Sequence, residues 1–531
     1  MSVSRFRVAF LTAEAVPFAK VGGLGDVAGA LSQTAAALGC SVAVFLPRYG
    51  DLQLPEGSDL ELVARIDVPV SGTDRPGLVY RLRHAGHPGH LHHFFLANEE
   101  LFGRPGIYND PTTGREFADQ AERFTFFSRG CLEAMRAVAY VPDVIHANDH
   151  STALVPAYLK TTLAEDAFFQ MTATLLTIHN LGYQGVYPPD AMRIAGFPER
   201  FFYPLSPFEF WGKMNVLKAG IQFADRISTV SERHAEEIQS GDEYGFGLQG
   251  VLNARREHLT GILNGIDVKV WNPRTDRALP ARYDAEALDG KAICKAALVE
   301  ELGLEPSPDR PVFGIVSRLV EQKGFELFER AQDRLLALPA RWAVLGRGEE
   351  RFERLFRGLA ERHPDRLAYR SEYLDPLAHR IEGGADFFLM PSRYEPCGLS
   401  QMMSMRYGTV PIVRETGGLA DTVTPFGPGE RARGTGILFA PYTPDALVAA
   451  VEEAIRLYQD GAALLRCRRN GMACDFSWES AARKYVQLYR EANAARRIGT
   501  GFGRWLDTIR RGEQEADPAT PSRGWEPPTL A

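Results

Sequence analysis

Short runs of apolar, β-branched and aromatic residues alternate along this chain with segments of helical periodicity. Continuous apolar strands separated by helices are typical of parallel sheets that are covered on both faces. The pattern therefore predicts an α/β protein with two doubly wound sheets. The strands are predicted at Val8–Leu11, Ser41–Leu46, Val144–Ala147 and Thr174–His179 in the first half, and at Val312–Ser317, Trp342–Leu345 and Phe387–Met390 in the second.

An irregular stretch rich in turn residues, Asn264–Pro273, separates the two series. We therefore predict an N-terminal Rossmann-like domain over 1–258 and a C-terminal one over 259–477. Ser477 is a typical N-cap residue and precedes a helix predicted over 478–495. Residues 496–531 show no periodicity and are predicted to form a flexible tail.

Composition narrows the function classes. The chain has 531 residues, 45% of them hydrophobic, and a formal net charge of −7, which argues against a general nucleic-acid binder. No uninterrupted apolar run is long enough for a membrane span, and the N-terminal run is too short for a secretory signal. The six cysteines are scattered without metal-ligand spacing and are predicted to be free thiols in a reducing compartment. These features predict a cytoplasmic protein without nucleic-acid or membrane partners.

The same glycine turn occurs twice, as Lys20-Val-Gly-Gly-Leu-Gly-Asp26 and as Thr416-Gly-Gly-Leu-Ala-Asp421. Each follows an apolar run and opens a helical segment, so its backbone N–H groups could bind an anion. The spacing matches neither G-x-G-x-x-G nor a P-loop. Two such turns indicate two domains that close on one phosphorylated ligand, and the compact ammonium of Lys20 suits a phosphate site.

Charged residues follow two of the predicted strands in the second half. Arg318 and Lys323 follow Val312–Val316, at the end of a strand where open α/β sheets bind ligands. Both cations could neutralise a diphosphate leaving group, which favours transfer from a nucleotide-sugar. The alternative is a solvated turn with an Arg318–Glu321 surface pair.

Glu395 follows another apolar strand and is predicted at the N-terminus of a helix, with Pro396 in its first turn. There it could accept hydrogen bonds from sugar hydroxyls or stabilise an oxocarbenium-like centre. The alternative is a capping carboxylate without catalytic function. His179 ends a further strand. A lone histidine is usually a structural residue, but the polar, glycine-rich segment after this one favours a position in the cleft.

A histidine cluster in the first half resembles a metal site. Because His92 and His93 are adjacent in a predicted strand, they would point to opposite faces, so no metal site is predicted. The cluster comprises His84, His87, His90, His92 and His93.

The motifs KVGGLGD, TIHNLGYQG, ILNGID, VSRLVEQKG, SRYEPCGLSQM and YGTVPIVRETGGLADTV occur in this order. In this respect the chain resembles bacterial glycogen synthases and plastid starch synthases over about residues 7 to 492. The resemblance implies the GT-B fold, with two Rossmann-like domains, an active site in the cleft between them and a C-terminal helix that crosses back. It also implies retaining transfer of glucose from ADP-glucose, with UDP-glucose less favoured, to the non-reducing end of glycogen or another α-1,4-glucan, without a metal or cofactor.

The resemblance also assigns residues to three groups. The catalytic group is Glu395, His179, Lys323 and Arg318. The donor-binding group, in which Tyr373 would stack on the nucleobase, is Lys20, Gly22, Gly23, Tyr373, Cys397, Gly398, Thr416, Gly417 and Gly418. The third group, candidates for the acceptor site or the cleft lining, is Asp26, Tyr108, Asp149 and Asn264.

Three departures from the family pattern stand out. His150 replaces a usual tryptophan, which would remove a stacking platform for a glucan. Asp375 stands where glutamate is usual, and Ser231-Glu-Arg-His replaces the commoner Ser-Pro. The change at position 150 leaves open a related glucosyltransferase that acts on a small acceptor. A catalytically silent glucan- or nucleotide-binding protein is the alternative outside the enzyme class.

Overall fold

The computed structural model describes residues 5–84, 90–372 and 375–514. The strands are β1 Arg7–Leu11, β2 Ser41–Pro47, β3 Ser58–Val70, β4 Thr73–His84, β5 Leu91–Ala97, β6 Val144–Asn148, β7 Ala173–Ile178, β8 Val186–Tyr187, β9 Glu209–Phe210, β10 Lys213–Asn215, β11 Arg226–Thr229, β12 Leu259–Gly261, β13 Val312–Val316, β14 Arg341–Leu345, β15 Leu367–Arg370, β16 Phe387–Met390, β17 Val410–Arg414 and β18 Ile437–Phe439.

The α-helices are α1 Gly23–Ala37, α2 Glu99–Phe102, α3 Gln120–Ala137, α4 Leu154–Lys160, α5 Ala191–Ile194, α6 Val216–Phe223, α7 Glu232–Glu237, α8 Asp242–Gly245, α9 Gln249–Ala254, α10 Asp289–Leu302, α11 Phe325–Ala337, α12 Glu350–Arg362, α13 Asp375–Gly384, α14 Ser400–Arg406, α15 Gly417–Thr422, α16 Pro444–Gln459, α17 Gly461–Met472 and α18 Trp478–Gln514. Short 3₁₀ helices cover Glu199–Phe201, Arg256–His258, Glu321–Lys323 and Gly429–Arg433.

Two large sheets organise the chain, as the apolar pattern predicts. Within the described residues, the first sheet has nine strands in the order β12-β11-β7-β6-β1-β2-β5-β4-β3. Its strands from β12 to β5 are parallel, and β4 and β3 extend it as an antiparallel edge. The second sheet, in the part of the chain that the structure describes, has six parallel strands in the order β15-β14-β13-β16-β17-β18. This is the doubly wound order, which places a ligand crevice at the carboxyl ends of the central strands.

The parallel strands of each sheet are covered on both faces, which is why most of them are apolar along their length, whereas the antiparallel edge strand β3 keeps many exposed positions. In the second sheet, Phe313 packs with Trp342 and Phe387 on one face, while Val312 and Ala343 pack with α10 and α13 on the other. The two sheets thus form the cores of two Rossmann-like domains, the fold class predicted from the sequence.

The first sheet reaches just past the predicted domain boundary at residue 258. Strand β12, Leu259–Gly261, pairs in parallel with β11 and is its edge strand. The chain then crosses to the second domain beside the segment that returns, because Ile266 bridges Ser477. The division at 258/259 otherwise stays a prediction.

The last helix differs from the prediction in its length. It was expected to end at residue 495, but α18 continues to Gln514, so 496–514 are helical rather than a loose tail. This segment contains Gly499, Gly501, Gly503 and Gly512 but no proline. Each glycine weakens a helix by only about 1 kcal/mol. The rest of the predicted tail, 515–531, lies outside the described residues.

The first turns of α18 pack on the first domain. Tyr485 stacks on His146 of β6 with ring centroids 5.5 Å apart, and the Tyr489 hydroxyl lies 2.8 Å from His146 Nδ1.

Among the described residues, no helix is both long and apolar enough to span a membrane.

Candidate active site

The first glycine turn follows β1, and a buried carboxylate already occupies its backbone donors. Glu14 is 3% exposed, and its Oε2 accepts hydrogen bonds from Val21 N at 2.6 Å and Gly22 N at 2.7 Å. Its Oε1 accepts from the Tyr108 hydroxyl at 2.9 Å. The backbone N–H groups that the sequence predicts for a phosphate are therefore taken in this structure by the Glu14 side chain.

Lys20 and Asp26 flank this turn and pair with each other. Lys20 Nζ lies 2.7 Å from Asp26 Oδ1, with side chains 46% and 32% exposed. Burial raises the pKa of Asp26, and Lys20 opposes that rise. Gly23, the first residue of α1, faces the second domain, since a Cβ there would lie 3.8 Å from the Leu399 side chain.

His179 follows β7, and its hydrogen bond fixes its tautomer. Asn148 Nδ2 donates to the Leu11 carbonyl, so Asn148 Oδ1 must accept from His179 Nε2, 2.8 Å away. Burial lowers the pKa of His179 to about 3. The imidazole is therefore neutral near pH 7, carries its proton on Nε2 and keeps Nδ1 as an acceptor.

Asp149 holds the backbone on which His179 sits. Its Oδ1 accepts from His179 N at 2.7 Å, and its own backbone has a φ of 52°. Burial raises the pKa of Asp149 to about 7, more than its backbone hydrogen bonds lower it. Asp149 is thus placed to orient the His179 loop.

In the second domain, Lys323 and Glu395 form a close ion pair. Lys323 Nζ lies 2.6 Å from Glu395 Oε2, which also accepts from Ser392 Oγ at 3.0 Å. The side chains are 18% and 7% exposed. These contacts bring together two of the residues that the sequence predicts to be catalytic.

The predicted helix at Glu395 is wrong. The helix begins at Ser400, so Pro396 is not in its first turn and Glu395 is not at a helix N-terminus. The positive φ of Gly398, 71°, interrupts a helical path at this point. Lys323 and Ser392 hold the carboxylate instead.

Arg318 lies exposed after β13, and the alternative pair with Glu321 is wrong because Glu321 pairs with Arg393 at 3.1 Å.

Nearby, the two domains approach each other across the cleft. Asn180, next to His179, donates to Gln322 Oε1 at 3.4 Å. The His179 loop therefore lies over the segment that carries Lys323.

The second glycine turn also holds a carboxylate, and this one comes from the other domain. Gly417 N lies 3.0 and 3.1 Å from the two carboxylate oxygens of Glu237, and Thr416 Oγ1 lies 3.3 and 3.4 Å from them. Gly418 N donates to the Glu395 carbonyl at 3.1 Å. A donor phosphate could take the Gly417 N–H only by displacing Glu237.

Cys397 and Asn264 lie together beside this turn. Both are buried, and burial raises the pKa of the Cys397 thiol to about 12. The thiol is therefore protonated near pH 7 and cannot act as a nucleophile. All six cysteines are free, as predicted.

His150 does not line an open cleft. It is 9% exposed and packs behind Tyr108 and edge-on against Phe124, with ring centroids 6.2 and 5.6 Å away. Its neighbours enclose position 150, so the structure does not support an exposed glucan platform at the histidine that stands there. The argument for a small acceptor loses its basis.

Two of the residues singled out from the sequence lie outside the described residues. They are Tyr373, predicted to stack on the nucleobase, and His87 of the histidine cluster. Among the residues that are described, no three His, Cys, Asp or Glu side chains come together in a group that could hold a metal ion. His93 contacts Phe18 in the core of the first domain, with ring centroids 4.9 Å apart.

The arrangement places a lysine–glutamate ion pair and a neutral imidazole at the carboxyl ends of the two sheets. Sequence reasoning missed Glu14 and Glu237. Glu14 had a local signal, because it follows an apolar strand and precedes the glycine turn. Glu237 had none, since its partner lies 180 positions away.

Comparisons with known proteins agree over both domains. The family profile described as starch synthase catalytic domain matches residues 7–254, and that of glycosyl transferases group 1 matches residues 303–472. The chain is 43% identical to a glycogen synthase of Koribacter versatilis over 489 residues, covering 92% of this chain and 99% of that protein. It is 42% identical to a glycogen synthase of Thermotoga maritima over 493 residues, with coverage of 92% and 99%.

A solved structure matches as well. The catalytic domain of starch synthase IV from Arabidopsis thaliana, bound to ADP and acarbose, superposes with a TM-score of 0.84 at 31% sequence identity. The match covers 92% of this chain and 100% of that one.

Proposed function

The chain belongs to the glycogen and starch synthase family of glycosyltransferases, and from that premise we propose that it transfers glucose from ADP-glucose to the non-reducing end of an α-1,4-glucan such as glycogen. The configuration at the anomeric carbon is retained. The ADP in the solved relative supports an adenine nucleotide donor over UDP-glucose. The proposal includes a cytoplasmic location.

The observation that carries this proposal is the Lys323–Glu395 pair beneath the His179 loop. The 2.6 Å contact puts a compact cation and a buried carboxylate side by side at the end of a parallel sheet. A donor needs both, one for its diphosphate and one for its glucose. Arg318, exposed at the neighbouring strand end, supplies a second cation.

In the proposed reaction, the bond between the glucose anomeric carbon and the diphosphate oxygen breaks. That oxygen takes the proton of the acceptor hydroxyl, and the new glycosidic bond forms on the same face. Lys323 and Arg318 stabilise the charge that develops on the diphosphate. Neutral His179 can accept a hydrogen bond at Nδ1 beside the anomeric centre without adding positive charge to it.

The remaining assignments stay proposals. Lys20 and Gly23 would contact the donor phosphate from the first domain. Gly22, Gly417 and Gly418, whose N–H groups are held by Glu14, Glu237 and the Glu395 carbonyl, would border it without donating to it. Cys397 and Gly398 would contact sugar oxygens through their backbone, and Tyr373 would stack on the base. Asp26, Tyr108 and Asn264 would line the acceptor side.

The test supplies the purified protein with ADP-glucose or UDP-glucose, each with and without glycogen. Release of nucleoside diphosphate and labelled glucose in polymer are both followed. We expect labelling of the polymer that requires glycogen and is faster with ADP-glucose. Diphosphate release without labelled polymer would contradict the proposed acceptor, and no turnover with either donor would support a silent binding protein.

Site variants connect the activity to the geometry. Glu395→Ala and Lys323→Ala are each expected to lower kcat by about a hundredfold or more, because each removes a group that acts on the reacting centre. A comparable ion pair away from the cleft, Arg380–Glu301 at 2.7 Å, provides the control. Arg380→Ala should leave kcat unchanged, and activity near that of wild type in Glu395→Ala would contradict the site.

A further inference from the structure

Helix α7 of the first domain lies against α15 of the second and is anchored at its start. Ser231 Oγ donates to the Pro396 carbonyl at 2.6 Å, and Arg233 N donates to Asp421 Oδ2 at 2.9 Å. Ser231 also caps α7, because its oxygen accepts from His234 N at 3.2 Å. The segment Ser231–His234, which the sequence left without an interpretation, thus joins the domains next to Glu395.

The last residue of α7, Glu237, makes the closest contact with the glycine turn. Both of its oxygens face Gly417 N, at 3.0 and 3.1 Å, and the side chain is 8% exposed. A buried carboxylate is unfavourable unless charges and donors compensate it. Arg233 Nε at 3.5 Å and His234 Nδ1 at 4.0 Å lie beside it.

These neighbours keep Glu237 ionised. Burial alone would raise its pKa, but the hydrogen bond from Gly417 N and the nearby His234 and Arg233 outweigh burial, so the pKa is lowered. An ionised carboxylate forms a stronger hydrogen bond to an amide than a neutral group does. The contact is therefore strong enough to fix the position of the turn.

The Thr416–Gly418 turn holds the main chain of Glu395. Gly418 N donates to the Glu395 carbonyl at 3.1 Å, and a Cβ at Gly417 would collide with that same carbonyl oxygen. The two backbone segments are thus packed without room for a side chain. A shift of the turn would move the main chain that carries the Glu395 carboxylate.

We propose that Glu237 is a positioning residue that reaches from the first domain to fix the Thr416–Gly418 turn, and through it the Glu395 main chain, for sugar transfer. This inference rests on the proposed function in so far as Glu395 acts on the donor sugar. It means that the carboxylate acting on the sugar is in place only when the two domains are together.

The kinetic test compares Glu237→Ala, Glu237→Gln and the control Glu236→Ala. Glu236 is the neighbour of Glu237 on α7, and its side chain is 73% exposed. With ADP-glucose and glycogen, we expect Glu237→Ala to lower kcat about thirtyfold, while the Kd for ADP, measured by calorimetry, changes by less than about threefold. Glu237→Gln should recover most of kcat, because its amide oxygen can still accept from Gly417 N.

A purely structural role would act differently. It would lower thermal stability and ADP affinity together with kcat, and glutamine would not rescue kcat selectively. That result would overturn the proposal, as would a kcat in Glu237→Ala within about twofold of wild type.

A second measurement does not depend on the donor. Amide hydrogen exchange of peptides that contain Gly417 and Gly418 is expected to be about tenfold faster in Glu237→Ala than in wild type, and unchanged in Glu236→Ala. Equal exchange in all three proteins would overturn the proposal. If wild type labels no glycogen, the proposed function fails, and the exchange result still decides whether Glu237 holds the turn.

Discussion

The two glycine turns are similar in sequence but differ in what closes them. The turn at Gly22 is closed by Glu14, which belongs to the same domain, whereas the turn at Gly417 is closed by Glu237 from the other domain. The hydrogen bonds of the first turn do not depend on how the two domains are placed. Those between Glu237 and the second turn form only when the domains are in contact, so the same motif stabilises a single domain in one place and the domain interface in the other.

The glycines themselves also differ in why they are needed. A Cβ at Gly22 would have its nearest neighbour 4.0 Å away, at Glu14 Oε1. A Cβ at Gly418 would collide with the backbone of Cys397. Packing therefore requires a glycine at position 418 but not at position 22. At position 22, the remaining reason for a glycine is that it lets a ligand approach the backbone closely.

The largest expected difference between the two regions is in their response to pH. Asp149, beside the first turn, has a pKa raised to about 7, which is well above the value of about 3.9 in an unfolded chain. The folded protein then holds a proton that the unfolded chain loses, so stability falls as pH rises from about 4 to about 7. In wild type this loss amounts to up to about 4 kcal/mol in the free energy of unfolding, and Asp149→Asn should abolish it.

Glu237 should respond with the opposite sign. Its pKa is lowered, so its contribution is present above the unfolded value of about 4.3 and is lost as pH falls below it. Urea unfolding at a series of pH values, with Asp149→Asn and Glu237→Gln beside wild type, measures both. Curves that stay parallel to wild type at every pH would contradict the two assignments.

The next largest effect concerns the glycines. Gly418→Ala is expected to lower the free energy of unfolding by about 3 kcal/mol, because its methyl group has no space. Gly22→Ala should change it by less than about 0.5 kcal/mol and raise the KM for ADP-glucose instead. Thermal unfolding and donor kinetics on both variants check this, and equal destabilisation would show that the turns do not differ in packing.

A smaller effect is expected when the first carboxylate is removed. Glu14→Ala leaves the N–H groups of Val21 and Gly22 and the Tyr108 hydroxyl without their acceptor, which should cost about 2 kcal/mol of stability. Tyr108→Phe removes one of these bonds and should cost about 1 kcal/mol. Urea unfolding at one pH measures both, and a Glu14→Ala variant as stable as wild type would mean that the turn does not depend on its carboxylate.

The smallest stability effect is expected at Lys20. Its pair with Asp26 is exposed, so Lys20→Ala should change stability by less than about 0.5 kcal/mol, while the KM for ADP-glucose rises about tenfold if Lys20 contacts phosphate. Arg81–Glu61 is a matched pair, also 2.7 Å apart and with Arg81 46% exposed. Arg81→Ala should leave that KM unchanged, and an unchanged KM in Lys20→Ala would remove Lys20 from the donor site.

The sequence allowed the sheets and the strand-end positions of the site to be predicted, because both depend on local signals. Apolar runs mark the strands, and Lys323 and His179 follow such runs directly. What the sequence could not indicate was which group fills each turn. Glu237 and Gly417 are distant in the chain and meet only through the packing of two domains.

The errors have similar causes. The resemblance predicts a stacking platform at position 150, but the spatial neighbours Tyr108 and Phe124 enclose His150 there. Helix α18 was expected to stop where its apolar period fades, yet glycine without proline did not end it. At Glu395, the proline at the next position predicts the first turn of a helix. The positive φ of Gly398 breaks the helical path, so the helix begins only at Ser400.

The crossing of α18 has a consequence for the order in which the protein can fold during synthesis. Trp478, Ala482 and Tyr485 complete the same core cluster as Val8 and Phe10 of the first strand. A ribosome delivers the N-terminal domain first, but the part of this core that α18 covers stays exposed until more than 200 further residues have been made. The nascent first domain therefore exposes an apolar surface throughout translation of the second, and a chain truncated before residue 478 would keep that surface permanently.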